Sequence, residues 1–184
     1  MNETLKSIMD RYSCRDFCGD RLADEQVKSI VEAALAAPSA MNKMPWHIVA
    51  VTDKNLIDEM DEAAMEAIGS RDDKGLLARM KERGGKIFYN APCMLIILSD
   101  DSEYAKVDCG IATQNVALAA HALGLGSVIC AMARIPLDGP KGSEFKKRLK
   151  FPEGYNFGMA VCIGRINSGK APHILNYDKA TYIE

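Results

Sequence analysis

Apolar positions along the chain alternate between helical and extended spacing. Residues 4–11 place Leu5, Ile8 and Met9 on one side of a short helix. Val27, Ile30, Val31, Ala34 and Leu35 follow helical spacing, and Pro38 stops that helix. Residues 46–52, WHIVAVT, are rich in β-formers and predict a strand. Residues 56–68 read as helical, and a charged segment leads to a second helix over 75–88. Residues 94–98, MLIIL, form a short continuous apolar run, which predicts a strand buried on both faces.

The helix predicted over 104–123 is the most informative. Cys109, Ile111, Ala112, Val116, Ala117, Leu118, Ala119, Ala120, Ala122 and Leu123 cover nearly its whole circumference, whereas a surface helix shows one apolar stripe. Such a helix is either the central helix of a monomer or packs one face on its own sheet and another on a partner subunit. In so small a domain we favour the second, a homodimer. Gly124-Leu125-Gly126 ends the helix, and 127–132, SVICAM, predicts the next strand. A short basic helix over 143–150 and a last core strand over 155–164 follow. The tail, 165–184, contains Pro172 and ends in TYIE, a candidate strand for a neighbouring sheet. Helices and strands interleave without strict βαβ alternation, so the expected fold is α+β, with a mixed sheet covered by helices. With no repeat, low-complexity tract or linker, residues 1–184 read as a single domain.

Composition narrows the function classes. The chain has 184 residues, 48% hydrophobic and 26% charged, and a length like this buries roughly 70% of its unfolded surface without disulfide or metal. A net charge of −2 gives no basic face, so no nucleic-acid partner is expected. No run of about 20 apolar residues predicts a membrane span. The polar N-terminus has no signal-peptide core, and the six cysteines are scattered, so a cytoplasmic protein is expected. Cys14 and Cys18 have no second pair or clustered histidines to complete a metal site and read as free thiols. His47, His121 and His173 read as structural rather than catalytic. Gly84-Gly85-Lys86 lacks the spacing of a phosphate-binding P-loop. Gly124-x-Gly126 ends a helix rather than opening one, unlike a dinucleotide fingerprint.

Two segments carry candidate chemistry. In Arg11-Tyr12-Ser13-Cys14-Arg15, two guanidiniums and a hydroxyl lie close together. A phosphomonoester has nearly two negative charges and three acceptor oxygens, which arginine forks and a serine hydroxyl match. The same pattern on its own also suits a solvated helix face. Pro38-Ser39-Ala40-Met41-Asn42-Lys43-Met44-Pro45-Trp46 is a loop of small and polar residues. Its backbone can approach a planar ligand, with Asn42 as donor and acceptor; alone it also suits a plain connection with Asn42 in a turn.

Together these segments resemble the nitroreductase family of FMN-dependent oxidoreductases. The resemblance rests on Arg11, Ser13, Arg15 and Phe17, then on Pro38, Ser39, Asn42, Pro45 and Trp46, then on Ala120, Gly124, Leu125, Gly126 and Ser127, in order and in spacing. It implies a three-layer α+β fold and an intertwined dimer with FMN sites at the subunit interface. Arg11, Tyr12, Ser13 and Arg15 would then hold the ribityl phosphate. Pro38, Ser39, Ala40 and Asn42 would approach the flavin from the other subunit. Ile129, Cys130 and Ala131 would pass along the isoalloxazine, with backbone amides near N5. A basic residue near the C-terminus would complete the phosphate site, with Arg165 the first candidate, then Lys170 or His173. No side chain is expected to act as a catalytic acid or base, because the flavin carries the chemistry; Arg15 is the candidate donor for the reduced flavin.

The sequence departs from the family pattern at Met44, where glutamine is usual, and at Ala131-Met132. The chain also lacks room for the lid elements of the deiodinase and flavin-destroying branches. The implied activity is a ping-pong transfer of electrons from NADH or NADPH to a nitroaromatic, quinone or flavin. Two rivals remain at this point: a non-catalytic FMN protein for storage or sensing, and a cofactor-free interaction module.

Overall fold

The computed structural model describes residues 2–70 and 74–184, so the charged stretch Arg71-Asp72-Asp73 lies outside the described residues. Its strands are β1 (Trp46–Val51), β2 (Cys93–Ser99), β3 (Gly126–Ile129) and β4 (Asn156–Gly164), in the spatial order β1-β2-β4-β3. All three pairings are antiparallel, where a mixed sheet was expected. Among the described residues, the parallel component is the bridge between Ser13 and Ser127.

The helices are α1 (Glu3–Asp10), α2 (Asp24–Leu35), α3 (Lys54–Gly69), α4 (Lys74–Glu82), α5 (Ala105–Ala122), α6 (Arg134–Asp138) and α7 (Gly142–Arg148). They form two layers, and β2 shows why. Its Met94, Ile96 and Leu98 pack with Leu56, Ile57 and Met60 of α3 and with Phe145 of α7. The alternate residues Cys93, Leu95 and Ile97 pack with Ile30 and Ala34 of α2 and with Ala112, Val116 and Ala120 of α5. Successive strand residues point to opposite faces, so a sheet covered on both sides needs an unbroken apolar strand. The run MLIIL meets that need, and the fold is the expected three-layer α+β.

Local chemistry sets the boundaries. Asn2 caps α1 by accepting from Leu5 N at 2.9 Å, and Asp53 caps α3 by accepting from Asn55 N at 3.0 Å. Helix α5 closes in a Schellman turn: Leu125 N donates to Ala120 O and Gly124 N to His121 O, with Gly124 at φ +72°. The helix expected over 75–88 stops at Glu82, because Gly84 and Gly85 take φ +88° and +70° and Gly85 N returns to Met80 O. The strand expected over 127–132 stops at Ile129, where the chain turns into a 3₁₀ turn, Ala131–Ala133. Helix α6 was not foreseen; Pro136 sits in its first turn, where a missing N–H is tolerated. Among the described residues, the terminal TYIE pairs with no strand, and beyond β4 the tail forms the 3₁₀ turn Tyr177–Lys179.

Within one chain α5 is only half covered. Ala105, Asp108, Cys109, Ala112, Thr113, Val116, Ala117 and Ala120 are buried, while Val107 remains 62% exposed. The apolar side of α1, with Leu5, Ile8 and Met9, also faces outward. Within one chain, therefore, α5 is not fully enclosed. No helix is long and apolar enough to cross a membrane among the described residues.

Candidate functional site

The segment after α1 is threaded between the sheet and the tail. Ser13 bridges Ser127 at the start of β3, and Cys14 N donates to Ser127 O at 2.9 Å. Glycine at 126 permits this approach, since a Cβ there would stand 2.9 Å from the Cys14 Cβ and Sγ. On the other side Phe17 bridges Ile166, Cys18 N donates to Arg165 O at 3.0 Å, and Asn167 N donates to Asp16 O at 3.1 Å. Side chains tighten the join. Asp16 accepts from Ser168 Oγ at 2.6 Å and from Asn167 Nδ2 at 3.1 Å. The Ser168 bond, then the Asn167 bond, hold the Asp16 carboxyl below the ordinary carboxylate range.

The result is a pocket of about 350 Å³ lined by Tyr12, Ser13, Cys14, Arg15, Asp16, Arg83, Ser168, Gly169 and Lys170. Three cations face one carboxylate, a net charge of +2. Next to it in sequence, Arg11 holds its Nε–H buried with no hydrogen-bond partner among the described residues. Buried donors are rarely left unmade, because each costs about 1–3 kcal/mol. Three cations around a serine hydroxyl, none of them in an ion pair among the described residues, fit a doubly charged phosphate group, and Arg11 adjoins this set in sequence.

A larger cleft, about 540 Å³, lies at the other end of β2 and β4, lined by Ser99, Asp100, Asp101, Lys106, Cys109, Gly110, Arg134 and Asn156–Met159. There Lys106 and Arg134 are balanced by Asp100 and Asp101, and Arg134 reaches Asp138 at 3.5 Å. Charge excess favours the smaller pocket as the anion site.

Of the residues expected around a phosphate, Tyr12, Ser13, Arg15 and Lys170 line this pocket, and Arg11 does not. Arg165 and His173 do not line the pocket; of the C-terminal candidates Lys170 does. Arg83, Asp16 and Ser168 were missed. Arg83 lies in a basic stretch just before Gly84-Gly85, and that helix stop was the available signal. Along β3, Ile129 is exposed, whereas the Cys130 thiol turns into the core and donates to Ile87 O at 3.7 Å. Any ligand on this edge therefore meets the backbone of Cys130 and the side chain of Ile129; Ala131 is exposed beyond them.

The loop carrying Pro38, Ser39, Ala40 and Asn42 lies outside that pocket of its own chain. It forms a tight unit, the 3₁₀ turn Ala40–Asn42, closed by Met44 N donating to Ser39 Oγ at 2.9 Å. Ser39 thus spends its hydroxyl on the loop itself. His47 packs edgewise near Tyr155, at 5.9 Å between ring centres, and lies at neither site.

The antiparallel sheet is thus covered by helices on both faces, and the anion pocket lies where the N-terminal segment meets β3. Residues 8–165 match the nitroreductase family, and the chain belongs to that family. A nitroreductase with bound FMN from Desulfitobacterium hafniense is 44% identical, covers 100% of both chains and superposes with a TM-score of 0.96. A relative in Archaeoglobus fulgidus, assigned as an NADH dehydrogenase/NAD(P)H nitroreductase, is 34% identical over 70% of this chain and 67% of its own length. The FMN reductase [NAD(P)H] of Bacillus subtilis is 26% identical, covering 95% of this chain and 71% of its own. A further relative, from Methanothermobacter thermautotrophicus, is matched over 59% of its length.

Proposed function

We propose that the chain is an FMN-dependent oxidoreductase that passes electrons from NADH or NADPH to a small oxidised acceptor by a ping-pong cycle, working as a homodimer. The observation that carries this reading is the pocket with a net charge of +2 around Ser13, formed by the segment that follows Arg11. Arg11, Arg15, Arg83, Lys170 and the Ser13 hydroxyl would hold the ribityl phosphate. The Ile129 side chain and the backbone of Cys130 and Ala131 would border the ring system. Bound FMN supplies the two-electron chemistry, taking electrons from the nicotinamide and delivering them to the acceptor. The chain positions it and excludes water, and no side chain need act as acid or base.

The homodimer reading is supported by the uncovered side of α5, the outward apolar side of α1, and the tail, where Ile174 and Ile183 are each 94% exposed. Large apolar surfaces of this kind mark interaction sites. A second copy would cover them and bring the loop carrying Pro38, Ser39, Ala40 and Asn42 to its neighbour's flavin. The nitroaromatic, quinone or flavin acceptor would enter from the face that the loop borders, with Met41 and Met44 exposed at its tip.

The test is direct. The purified protein is expected to be yellow, to release FMN on denaturation and to oxidise NADH or NADPH with an artificial acceptor. Arg83→Ala removes one charge-assisted contact worth about 1.5–3 kcal/mol, so FMN should bind roughly 10- to 100-fold more weakly. A colourless protein that takes up no added FMN overturns the reading, and flavin binding without nicotinamide oxidation overturns its catalytic part.

A further inference from the structure

We propose that Asp108 is a positioning residue that holds the 39–44 loop in a strained, ligand-ready shape, an inference whose functional arm rests on the FMN reading above. Three non-glycine residues of this loop stand in the left-handed region: Met41 at φ +54°, Asn42 at +53° and Met44 at +47°. Each costs about 1–2 kcal/mol relative to an ordinary conformation, so something outside must hold them.

The loop's own bonds are short-range. Asn42 N donates to Ser39 O at 3.0 Å, Lys43 N to Ala40 O at 3.1 Å, and Met44 N to Ser39 Oγ at 2.9 Å. Two further bonds tie its ends to one rigid platform, the β2–α5 connection and the first turn of α5. Asp100 N donates to Pro45 O at 3.0 Å. Ala40 N donates to both carboxylate oxygens of Asp108, at 3.2 Å each.

Asp108 is a costly group to use this way. It is 4% exposed, and no cation lies within ion-pair distance of it among the described residues. A buried carboxylate is destabilising unless donors satisfy it. Its place in the first turn of an 18-residue helix eases that cost through the helix dipole, but the Ala40 amide is its specific partner. The clamp leaves Met41, Asn42 and Met44 exposed and pointing away from the core. A loop ordered in advance loses less freedom when a ligand docks on it. Asp108 therefore acts through Ala40, by setting the shape of the loop.

The experiment compares wild type, Asp108→Ala and Asp108→Asn as full chains. Amide exchange over residues 39–44 is followed without flavin, alongside the thermal midpoint and the affinities for FMN and for inorganic phosphate. Asp108→Ala is expected to speed exchange in the loop at least tenfold and to weaken FMN at least tenfold. Phosphate affinity should stay unchanged, since the phosphate pocket is separate. Asp108→Asn, which keeps an acceptor oxygen for Ala40 N, should restore both loop exchange and FMN affinity to within about threefold of wild type. Should the alanine variant fail to fold, Asp108→Ser, whose hydroxyl is too short to reach Ala40, is expected to give the same tenfold changes. Unchanged loop exchange, or a rise spread evenly over the chain with a lower midpoint, overturns the clamp. If wild type binds no FMN, the flavin reading falls while the loop-exchange comparison still judges Asp108.

Discussion

Two corners of the molecule each hold a carboxylate gripped by two donors, and the outcomes are opposite. Asp16, at the rim of the cationic pocket, accepts from Ser168 Oγ and Asn167 Nδ2, and its carboxyl is held below the usual range. Asp61, on α3, accepts from Ile87 N at 2.7 Å and Phe88 N at 3.3 Å, yet its pKa is pushed up to about 6. Burial is the difference: Asp61 is 3% exposed, and loss of water outweighs both amide bonds. Nearby, Asp58 pairs Lys54 and Lys86, which pull its carboxyl down against partial burial. A few residues along one stretch thus meet different fates. Lys86 is neutralised inside its own chain, whereas Arg83 faces the pocket with no acid paired to it among the described residues. Charge matched within the chain builds structure; charge left over marks the site.

The strongest way to break this contrast is at the seam that assembles the pocket. Gly126→Ala places a Cβ within 2.9 Å of Cys14 and 2.8 Å of the Ile166 side chain. Neither neighbour is free to retreat, because Cys14 is bonded through its backbone to Ser127 and Phe17 bridges Ile166. Overpacking of this kind costs about 1–3 kcal/mol, so the denaturation midpoint should fall. Inorganic phosphate and FMN binding should weaken together by more than tenfold, because Ser13, Arg15 and Lys170 lose their common frame. Titration of phosphate against the variant decides it: wild-type affinity would mean that the seam does not shape the pocket.

Asp61 offers a smaller effect, with a sign that separates it from Asp16. Its folded pKa lies above the unfolded one, so its contribution to stability is full below about pH 3.8 and is lost as pH rises through about 6. A shift of this size corresponds to about 3 kcal/mol between those limits. Asp16 has a depressed pKa, so its contribution is present above the ordinary carboxylate range and is lost only as pH falls through its folded value. Urea unfolding of Asp61→Asn at pH 4 and pH 7 should therefore show less loss of stability towards neutral pH than wild type. An identical pH profile in both proteins would mean that Asp61 is not the titrating group.

How far the sequence foretold these corners depends on the range of the interactions. The double-faced strand MLIIL and the glycine stop after α5 are local patterns, and each was legible; the arginine–serine cluster took its meaning only from the family resemblance. The end of β3 at Ile129 was not, since SVICAM suits a strand and only tertiary packing turns Cys130 inward and folds the chain into α6. Arg83 joins Arg15 through a fold-wide juxtaposition, and no spacing rule links them. Asp16 stood unnoticed between Arg15 and Phe17, because its partners Asn167 and Ser168 come from the far end of the chain. The same distance explains why Lys170 lines the pocket: the resemblance left Arg165, Lys170 and His173 as candidates, and the clip made by Asp16 sits next to Lys170 in the chain.

The smallest expected effect sharpens the role of that clip. Asp16→Asn keeps an acceptor for Ser168 and Asn167 while removing the carboxylate, which takes the pocket from +2 to +3. Asp16 is exposed to solvent screening, so the change in phosphate binding is modest. Affinity for inorganic phosphate should rise about two- to threefold at low salt, the scale of a surface charge interaction. The gain should vanish near 0.5 M salt, where the screening length is only about 4 Å. A several-fold loss at low salt would give the opposite answer: the carboxylate would then matter mainly as the tether that brings Lys170 into the pocket, and its charge would be incidental to the anion it faces.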